Sequence, residues 1–234
     1  MDMNTLFLNI GNTHSELAWD NLVNTEVMKT SELLKSLTEK ESKIKKIVAA
    51  SVVPKITGQL CVRFGQRITL LNAELAKGIK FSNVDQFSIG ADRIANIIAA
   101  KKHYNTPVMV VDCGTCITTE LLDASNQFQG GNILPGRLLQ RKILTSATGQ
   151  LPLAPLSSNL ANSPGKHSIE AIQSGVDIGL LGAIEKLIEY NSKSYPDITI
   201  VFTGGDAGFF KKHFPDTELA PPHFTLSGLL ELVK

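Results

Sequence analysis

The strongest constraint on the fold is a short strand–turn–strand pattern that occurs twice in the chain. Residues 6–13 read LFLNIGNT, and residues 109–116 read MVVDCGTC. Each copy begins with an apolar run typical of a buried strand, continues with Asn or Asp, a variable residue and Gly, and leads into a second alternating run. Because one copy starts each half of the chain, the pattern predicts an α/β protein made of two similar halves with a cleft between them.

The other elements are predicted from periodicity and punctuation. Apolar and β-branched runs predict further strands at 46–53, ending before Pro54, and at 68–71, 108–111 and 198–202. Apolar residues at helical spacing predict helices at 91–102, 138–144 and 168–190, and Ser31 is a candidate N-cap for a short helix that carries Leu33 and Leu37.

Composition narrows the class of protein. The chain has 234 residues and a formal net charge of +1, so no global field attracts nucleic acid or a membrane surface. No apolar run approaches the length of a transmembrane helix, and the apolar run at 6–10 is too short for a secretory signal. Three cysteines do not form the framework of a disulfide-rich protein. We therefore expect a cytoplasmic protein that binds neither nucleic acid nor membranes.

The two glycine turns suit phosphate binding. Transfer of a γ-phosphoryl group needs positioned phosphates, a cation and an oriented hydroxyl nucleophile. Glycine lets backbone N–H groups approach a phosphate closely, so the turns at 9–13 and 112–115 are candidates for that role. Asp112 can hold a cation directly or through water. The alternative is that each turn simply closes a hairpin.

The segment Gly90-Ala91-Asp92-Arg93 opens the helix predicted at 91–102. One interpretation is that Asp92 accepts a proton from an attacking hydroxyl while Arg93 holds an anionic substrate group. The other is that the helix dipole alone favours an acidic residue in a first turn.

Two further patterns are weaker. Cys113-Gly-Thr-Cys116 has no second cysteine pair to complete a zinc site, and it lies in a predicted turn rather than at a helix start, where a redox pair is typical. Residues 131–138 have the glycine spacing of a P-loop but lack its Lys and its Ser or Thr.

The motifs in their order resemble those of type III pantothenate kinases. The pieces that carry this resemblance, over residues 5–207, are NIGNT at 9–13, SVVP at 51–54, GADR at 90–93 with Asn96, DCGT at 112–115, GGNILPG at 130–136, LP at 151–152, AIQSG at 171–175 and TGG at 203–205. No single piece is decisive, whereas eight pieces in order are specific.

The resemblance implies a duplicated ribonuclease-H-like fold of the actin/hexokinase type, with halves 1–104 and 105–234, acting as a homodimer. It implies transfer of phosphate from ATP to the primary hydroxyl of pantothenate, which yields 4'-phosphopantothenate in the first step toward coenzyme A. The cofactors it implies are Mg²⁺ and a monovalent cation, K⁺ or NH₄⁺.

The resemblance also assigns roles to individual residues. Asp92 is the catalytic base, Gly90, Ala91, Asp92 and Arg93 contact pantothenate, and Asp112 holds the cation. The residues assigned to ATP are Asn9, Ile10, Gly11, Asn12, Thr13, His14, Ser15, Glu16 and Thr115.

The chain departs from the family pattern at four positions. Asn9 stands where the first turn usually begins with Asp, and Glu120 replaces another usual Asp. Ser168 stands where the family has a substrate-contacting Thr, and Phe81 is the candidate for the usual Tyr. The alternatives to an active kinase are a catalytically weak paralogue with a binding or regulatory role, and a kinase of another small hydroxy acid.

Overall fold

The computed structural model describes residues 4–233, which form two compact units. The first unit contains the described residues up to Thr106 together with Glu120–Gly130 and the segment from Pro221 onward, and the second contains Pro107–Thr119 and Gly131–Ala220. The division into halves 1–104 and 105–234 describes the duplication of the sequence and stays a prediction.

The first unit is built on a five-stranded mixed sheet. Its strands are β1 (Thr5–Ile10), β2 (His14–Trp19), β3 (Thr25–Lys29), β4 (Lys46–Ser51) and β5 (Ile68–Leu70), in the spatial order β3-β2-β1-β4-β5. β1 pairs antiparallel with β2 and parallel with β4. Nearly every residue of β1 is buried, as expected for a central strand covered on both faces.

Three helices accompany this sheet: α1 (Leu33–Lys40) lies between β3 and β4 in the chain, α2 (Pro54–Phe64) lies between β4 and β5, and α3 (Ala91–His103) follows β5. Leu8 and Leu17, opposite each other in the β1–β2 ladder, share an apolar core with Leu37 of α1 and Leu60 of α2. α1 and α2 therefore cover one face of the sheet.

The second sheet repeats the topology of the first. Its strands are β6 (Val108–Cys113), β7 (Cys116–Leu122), β8 (Ile133–Pro135), β9 (Thr199–Thr203) and β10 (Glu218–Leu219), in the order β10-β9-β6-β7-β8. As in the first sheet, the central strand is the first in sequence, and it pairs parallel with the fourth strand. The predicted duplication of an α/β fold is thus confirmed.

The second unit also contains α4 (Arg137–Ala147), α5 (Ser168–Ser192) and α6 (Ala207–Lys211). Along α5 the buried residues recur at helical spacing, for example Val176, Leu180 and Ile184. They join the core that Val111 and Phe202 contribute from the sheet.

A final helix, α7 (Phe224–Leu230), belongs to the first unit. Thr225 Oγ1 donates a hydrogen bond to Asn96 Oδ1 of α3 at 2.8 Å, and Phe224 packs near the ring of Tyr104. A Cβ atom at Gly228 would lie 2.8 Å from the carbonyl carbon of Ala95, so glycine allows the two helices to cross closely. α7 also contacts β1 and β2.

Most predicted elements are found within a few residues of their predicted bounds, with two corrections. Ser31 is not an N-cap, because it lies inside a short 3₁₀ turn, Thr30–Glu32, that leads directly into α1. The strand predicted at 46–53 ends at Ser51, and Pro54 begins α2 instead of only ending a strand. No helix of residues 4–233 is both long and apolar enough to cross a membrane.

Candidate active site

The NIGNT turn forms an open loop between β1 and β2. The Gly11 N–H donates to the His14 carbonyl at 3.1 Å, and Thr30 Oγ1 donates to the Gly11 carbonyl at 2.6 Å. Asn12, Thr13 and His14 are exposed at its tip, whereas the neighbouring strand residues are buried. These hydrogen bonds fix the base of the loop while its tip is accessible. This arrangement is suited to binding phosphate through backbone N–H groups.

A histidine from the far end of the chain contacts this hairpin. His223 Nδ1 is hydrogen-bonded to Oε1 of Glu16 on β2, and its Nε2 lies 2.8 Å from Thr25 Oγ1 on β3. Sequence analysis missed this residue, because no local pattern links His223 to a hairpin 207 positions earlier.

The SVVP and GADR segments lie next to the hairpin in the same unit. The Val52 N–H donates to the Ile10 carbonyl at 3.1 Å, which extends the ladder beyond β1. A Cβ atom at Gly90 would lie 2.7 Å from Asp92 Oδ1 and 3.4 Å from Val52 Cγ1. Glycine at this position therefore lets the Asp92 carboxylate and SVVP approach each other.

Two cavities, of about 620 and 610 Å³, open in this part of the first unit. The larger of two adjoining cavities, about 620 Å³, is lined by residues of SVVP, by Gly90 and Ala91 of GADR and by Phe87. This volume is in the range of small-molecule sites. Phe87 is exposed and was not singled out from sequence; its position three residues before Gly90 was the available signal.

Phe81 and Ser168 lie elsewhere in their units. Phe81 packs near Phe128, with ring centroids 5.8 Å apart, and lines the adjoining cavity of about 610 Å³ rather than the one at Gly90. Ser168 begins α5 in the second unit and lines a groove of about 410 Å³ with residues such as Leu144 and Gly175. Their substrate contacts stay predictions.

The electrostatics of Asp92 differ from those of an ordinary aspartate. Burial raises the pKa of its carboxyl, against the opposing effects of the Arg93 backbone N–H, which donates to Oδ1 at 2.8 Å, and of the Arg93 charge. Arg93 in turn forms an ion pair with Glu120, with Nε and Oε1 2.9 Å apart. The helix dipole therefore does not fully account for Asp92, since the group sits desolvated beside a cavity.

In the second unit, the DCGT turn meets two other predicted motifs. The Gly136 N–H of the GGNILPG segment donates to the Thr115 carbonyl at 2.9 Å. A Cβ atom at Gly204 of TGG would lie 2.7 Å from the Cys113 carbonyl oxygen and would also meet Asp112 Oδ1. Thr115 is exposed and Asp112 partly so. Glycines thus leave space around the Asp112 carboxylate that a side chain would fill, which fits a bound cation.

The two cysteines of the DCGT turn are not paired. Cys113 is buried and Cys116 exposed, and both are free. They bracket the turn between β6 and β7, as predicted from sequence.

Comparison with known proteins decides the family. The model of the type III pantothenate kinase family matches residues 5–190, most of the chain. The chain belongs to the type III pantothenate kinase family. A type III pantothenate kinase of Listeria monocytogenes serovar 1/2a is 33% identical over 193 residues, which cover 80% of this chain and 74% of that protein. One from Finegoldia magna is 29% identical over 249 residues, covering 96% and 94%.

Solved structures support the fold class. A Campylobacter jejuni protein described as a Baf family transcriptional activator gives a TM-score of 0.68 at 23% identity, covering 97% of this chain and 96% of that one. The archaeal actin homologue Ta0583 gives 0.54 at 10% identity, with 99% of each chain covered. At such identities the likeness shows the fold alone, and it confirms the actin/hexokinase-like class within which the family lies.

Proposed function

We propose that this protein transfers the γ-phosphoryl group of ATP to the primary hydroxyl of pantothenate, giving 4'-phosphopantothenate in the first step of coenzyme A biosynthesis. Membership of the pantothenate kinase family supports the reaction class. The proposal rests on the position of Asp92. Its carboxylate is desolvated and lies beside a cavity that is lined by SVVP and by other residues of the GADR motif.

In the proposed reaction Asp92 is the general base. It accepts the proton of the pantothenate hydroxyl as that oxygen attacks the γ-phosphorus. A raised pKa makes the carboxylate a stronger base than an exposed aspartate. Arg93, which Glu120 holds in place, contributes a positive charge for the carboxylate of pantothenate.

Residues 9–16 of the first unit, and separately Thr115 of the second, are proposed as nucleotide-binding residues. Among residues 4–233 no group of three or more His, Cys, Asp or Glu side chains could hold a metal ion. Mg²⁺ does not require such a group, because it is usually bound by one or two carboxylates together with substrate phosphates. Asp112 would hold Mg²⁺, which when bound neutralises charge on the phosphates. The monovalent cation, K⁺ or NH₄⁺, is proposed from the family resemblance.

We also propose a cytoplasmic homodimer. On α5, Ile178 is 44% exposed and lies on the side of the helix opposite its buried residues, where Gly175, Gly179 and Gly182 would meet nothing within 4 Å if they carried a Cβ atom. A flat stripe of this kind lets the helix of a second copy approach closely. Light scattering coupled to size-exclusion chromatography tests the dimer, and Ile178→Lys is expected to shift the mass toward that of a monomer.

The test of function measures ADP release with ATP, Mg²⁺ and pantothenate, in K⁺ and in Na⁺, with the phosphorylated product identified by mass spectrometry. We expect turnover that depends on pantothenate, that is faster in K⁺, and that is lost in Asp92→Asn but kept in Asp197→Asn, a control at an exposed aspartate. Nucleotide or pantothenate binding without turnover under every condition would overturn the proposal and favour a binding or regulatory protein. Turnover only with another hydroxy acid would reassign the substrate.

A further inference from the structure

The first hairpin carries its negative charge at an unusual place. Asn9, at the end of β1, contributes no charge, and Glu16 is the only acidic residue in the segment 9–16. In the β1–β2 ladder Asn9 and Glu16 are direct partners. Side chains of directly opposed residues leave the sheet on the same face, with Cβ atoms roughly 5 Å apart. The Glu16 carboxylate therefore lies on the Asn9 face of the sheet, displaced by one strand.

Neither side chain has all of its hydrogen-bonding atoms engaged within residues 4–233. Asn9 is half-buried, and its amide forms no side-chain hydrogen bond within residues 4–233. Glu16 is 20% exposed, and its contact with His223 involves Oε1, which leaves Oε2 for another partner. The opposite face of the hairpin is filled by the apolar core around Leu8 and Leu17.

His223 is built to hold this carboxylate in one orientation. Because a carboxylate accepts hydrogen bonds, the ring donates through Nδ1 to Glu16, and its Nε2 is hydrogen-bonded to the Thr25 hydroxyl at 2.8 Å. The residue sits in the left-handed region, with φ of 60°, immediately before α7, and α7 is fixed to α3 through Thr225 and Asn96. Carboxylates that ligate metals are themselves hydrogen-bonded by outer-shell groups that orient them, and His223 would be such a group for Glu16.

Resting on the function proposed above, we infer that Glu16, oriented by His223, is the carboxylate of the first hairpin that binds the cation of the metal–nucleotide complex. The negative charge that Asn9 does not supply is thus provided by its partner in the β1–β2 ladder. The donor set fits a hard divalent cation, since it combines a carboxylate oxygen with an amide oxygen. Glu16 would be a cation ligand, direct or through water, and His223 a positioning residue that touches neither substrate nor cation.

The experiment titrates Mn²⁺ into the protein in the presence of a non-hydrolysable ATP analogue and follows free Mn²⁺ by electron paramagnetic resonance. Glu16→Gln keeps an acceptor for His223 but removes the charge, and it is expected to weaken Mn²⁺ binding by about tenfold or more. His223→Asn, a residue that tolerates left-handed backbone, is expected to weaken it by about tenfold. Glu26→Gln on the neighbouring strand, where the carboxylate pairs with Lys40, is the matched control and should leave Mn²⁺ affinity unchanged.

The decisive variant moves the charge across the register pair. Asn9→Asp combined with Glu16→Gln restores a carboxylate on the same face, so it should recover most of the Mn²⁺ affinity that Glu16→Gln loses. Unchanged Mn²⁺ affinity in Glu16→Gln, or no recovery in the double variant, would overturn the inference and leave Glu16 as an anchor for α7. If Glu16→Gln does not fold, His223→Asn carries the test, because it keeps the carboxylate.

The outcome is separable from that of the proposed function. If the protein turns over pantothenate but Glu16→Gln leaves its Mn²⁺ affinity unchanged, the proposed kinase activity stands and the role of Glu16 is rejected. Conversely, Mn²⁺ binding that depends on Glu16, without turnover on pantothenate, would sustain the cation site and reject the proposed substrate.

Discussion

Arg93 Nε lies 2.9 Å from Oε1 of Glu120, whose side chain is completely buried, while that of Arg93 is 14% exposed. A carboxylate removed from water at this depth needs a compensating charge, and the arginine that compensates it follows Asp92 directly in the chain. The pair therefore fixes the guanidinium beside the proposed base. Glu120 therefore has a structural role in this chain.

The Arg93–Glu120 pair predicts how substitution at position 120 acts. Glu120→Gln removes the charge but little volume, so it should destabilise the fold by about 3 kcal/mol and raise KM for pantothenate more than it lowers kcat. Glu120→Asp keeps the charge but shortens the side chain, so its stability and its KM should lie between those of Glu120→Gln and the wild type. Thermal unfolding and steady-state kinetics measure both effects. Equal behaviour of the Gln and Asp variants would show that charge pairing is not the role of Glu120.

Asp92→Asn is expected to separate activity from stability. Since burial raises the pKa of Asp92 in the folded state, the protonated form stabilises the fold relative to the ionised form. That contribution is present below the unfolded pKa and is lost as pH rises through the folded pKa. The substitution therefore removes an ionisable group whose charged form burial destabilises, so Tm should stay the same or rise while turnover disappears. A large fall in Tm would contradict this account.

The raised pKa of Asp92 also predicts where kcat/KM falls as the pH is lowered. The base must be ionised to accept a proton, so turnover falls when pH drops through the pKa of Asp92. Because that pKa is raised, kcat/KM should fall at a higher pH than an ordinary aspartate with a pKa of about 3.9 would allow. The measurement is kcat/KM against pH in a range where thermal unfolding shows the protein intact. A limb at the ordinary aspartate value would assign it to another group.

The sequence predicted those parts of the fold whose signal is local. β1, β6, α3 and α5 follow from apolar runs or helical spacing, and four of the eight predicted motifs begin in or at the start of these elements. α2 was missed because Pro54 was taken only as the end of a strand, although proline is also favoured in the first turn of a helix. α7 has seven residues and begins after a histidine in a left-handed conformation, so periodicity gives almost no signal.

The candidate site likewise has parts that the sequence predicts and parts that it does not. Motif order identified Asp92, Asp112 and the glycine turns, since each lies in a contiguous segment. The pairing of Arg93 with Glu120 and of Glu16 with His223 could not be read, because each depends on how distant segments fold together. Phe87 illustrates a third case, in which the segment was recognised but the residue that lines the cavity was not.

A buried charge cluster in the second unit predicts a large effect on stability. Asp177 accepts from Arg137 Nε at 2.9 Å and from Arg141 Nη2 at 2.8 Å, and all three side chains are almost completely buried. Asp177→Asn would remove the carboxylate that Arg137 and Arg141 share and would leave Arg137 with its longer contact to Asp206 at 3.4 Å, so we expect a loss of about 3–5 kcal/mol in the free energy of unfolding. Urea denaturation measures it.

The control for the Asp177 variant is a surface pair on the same helix. Glu189 pairs with Lys186 on α5, and both side chains are at least half exposed. Glu189→Gln should leave the denaturation midpoint unchanged, because solvent screens such pairs. If both variants behaved alike, burial of the Asp177 cluster would not be the cause of its effect.

Gly204→Ala tests the space around the Asp112 carboxylate. Gly204 has φ of 90°, and a Cβ atom there would lie 2.8 Å from the Cys113 carbonyl carbon and would meet Asp112 Oδ1. Backbone strain alone costs about 1–3 kcal/mol at such a position, so the variant should be destabilised and should bind the ATP analogue with Mn²⁺ more weakly. Gly208→Ala, in α6 with nothing within 4 Å of its Cβ position, should keep both properties, since alanine favours a helix. Isothermal titration calorimetry together with thermal unfolding distinguishes the two variants. Nucleotide affinity that survives in Gly204→Ala would mean that the Asp112 turn does not contact the metal–nucleotide complex.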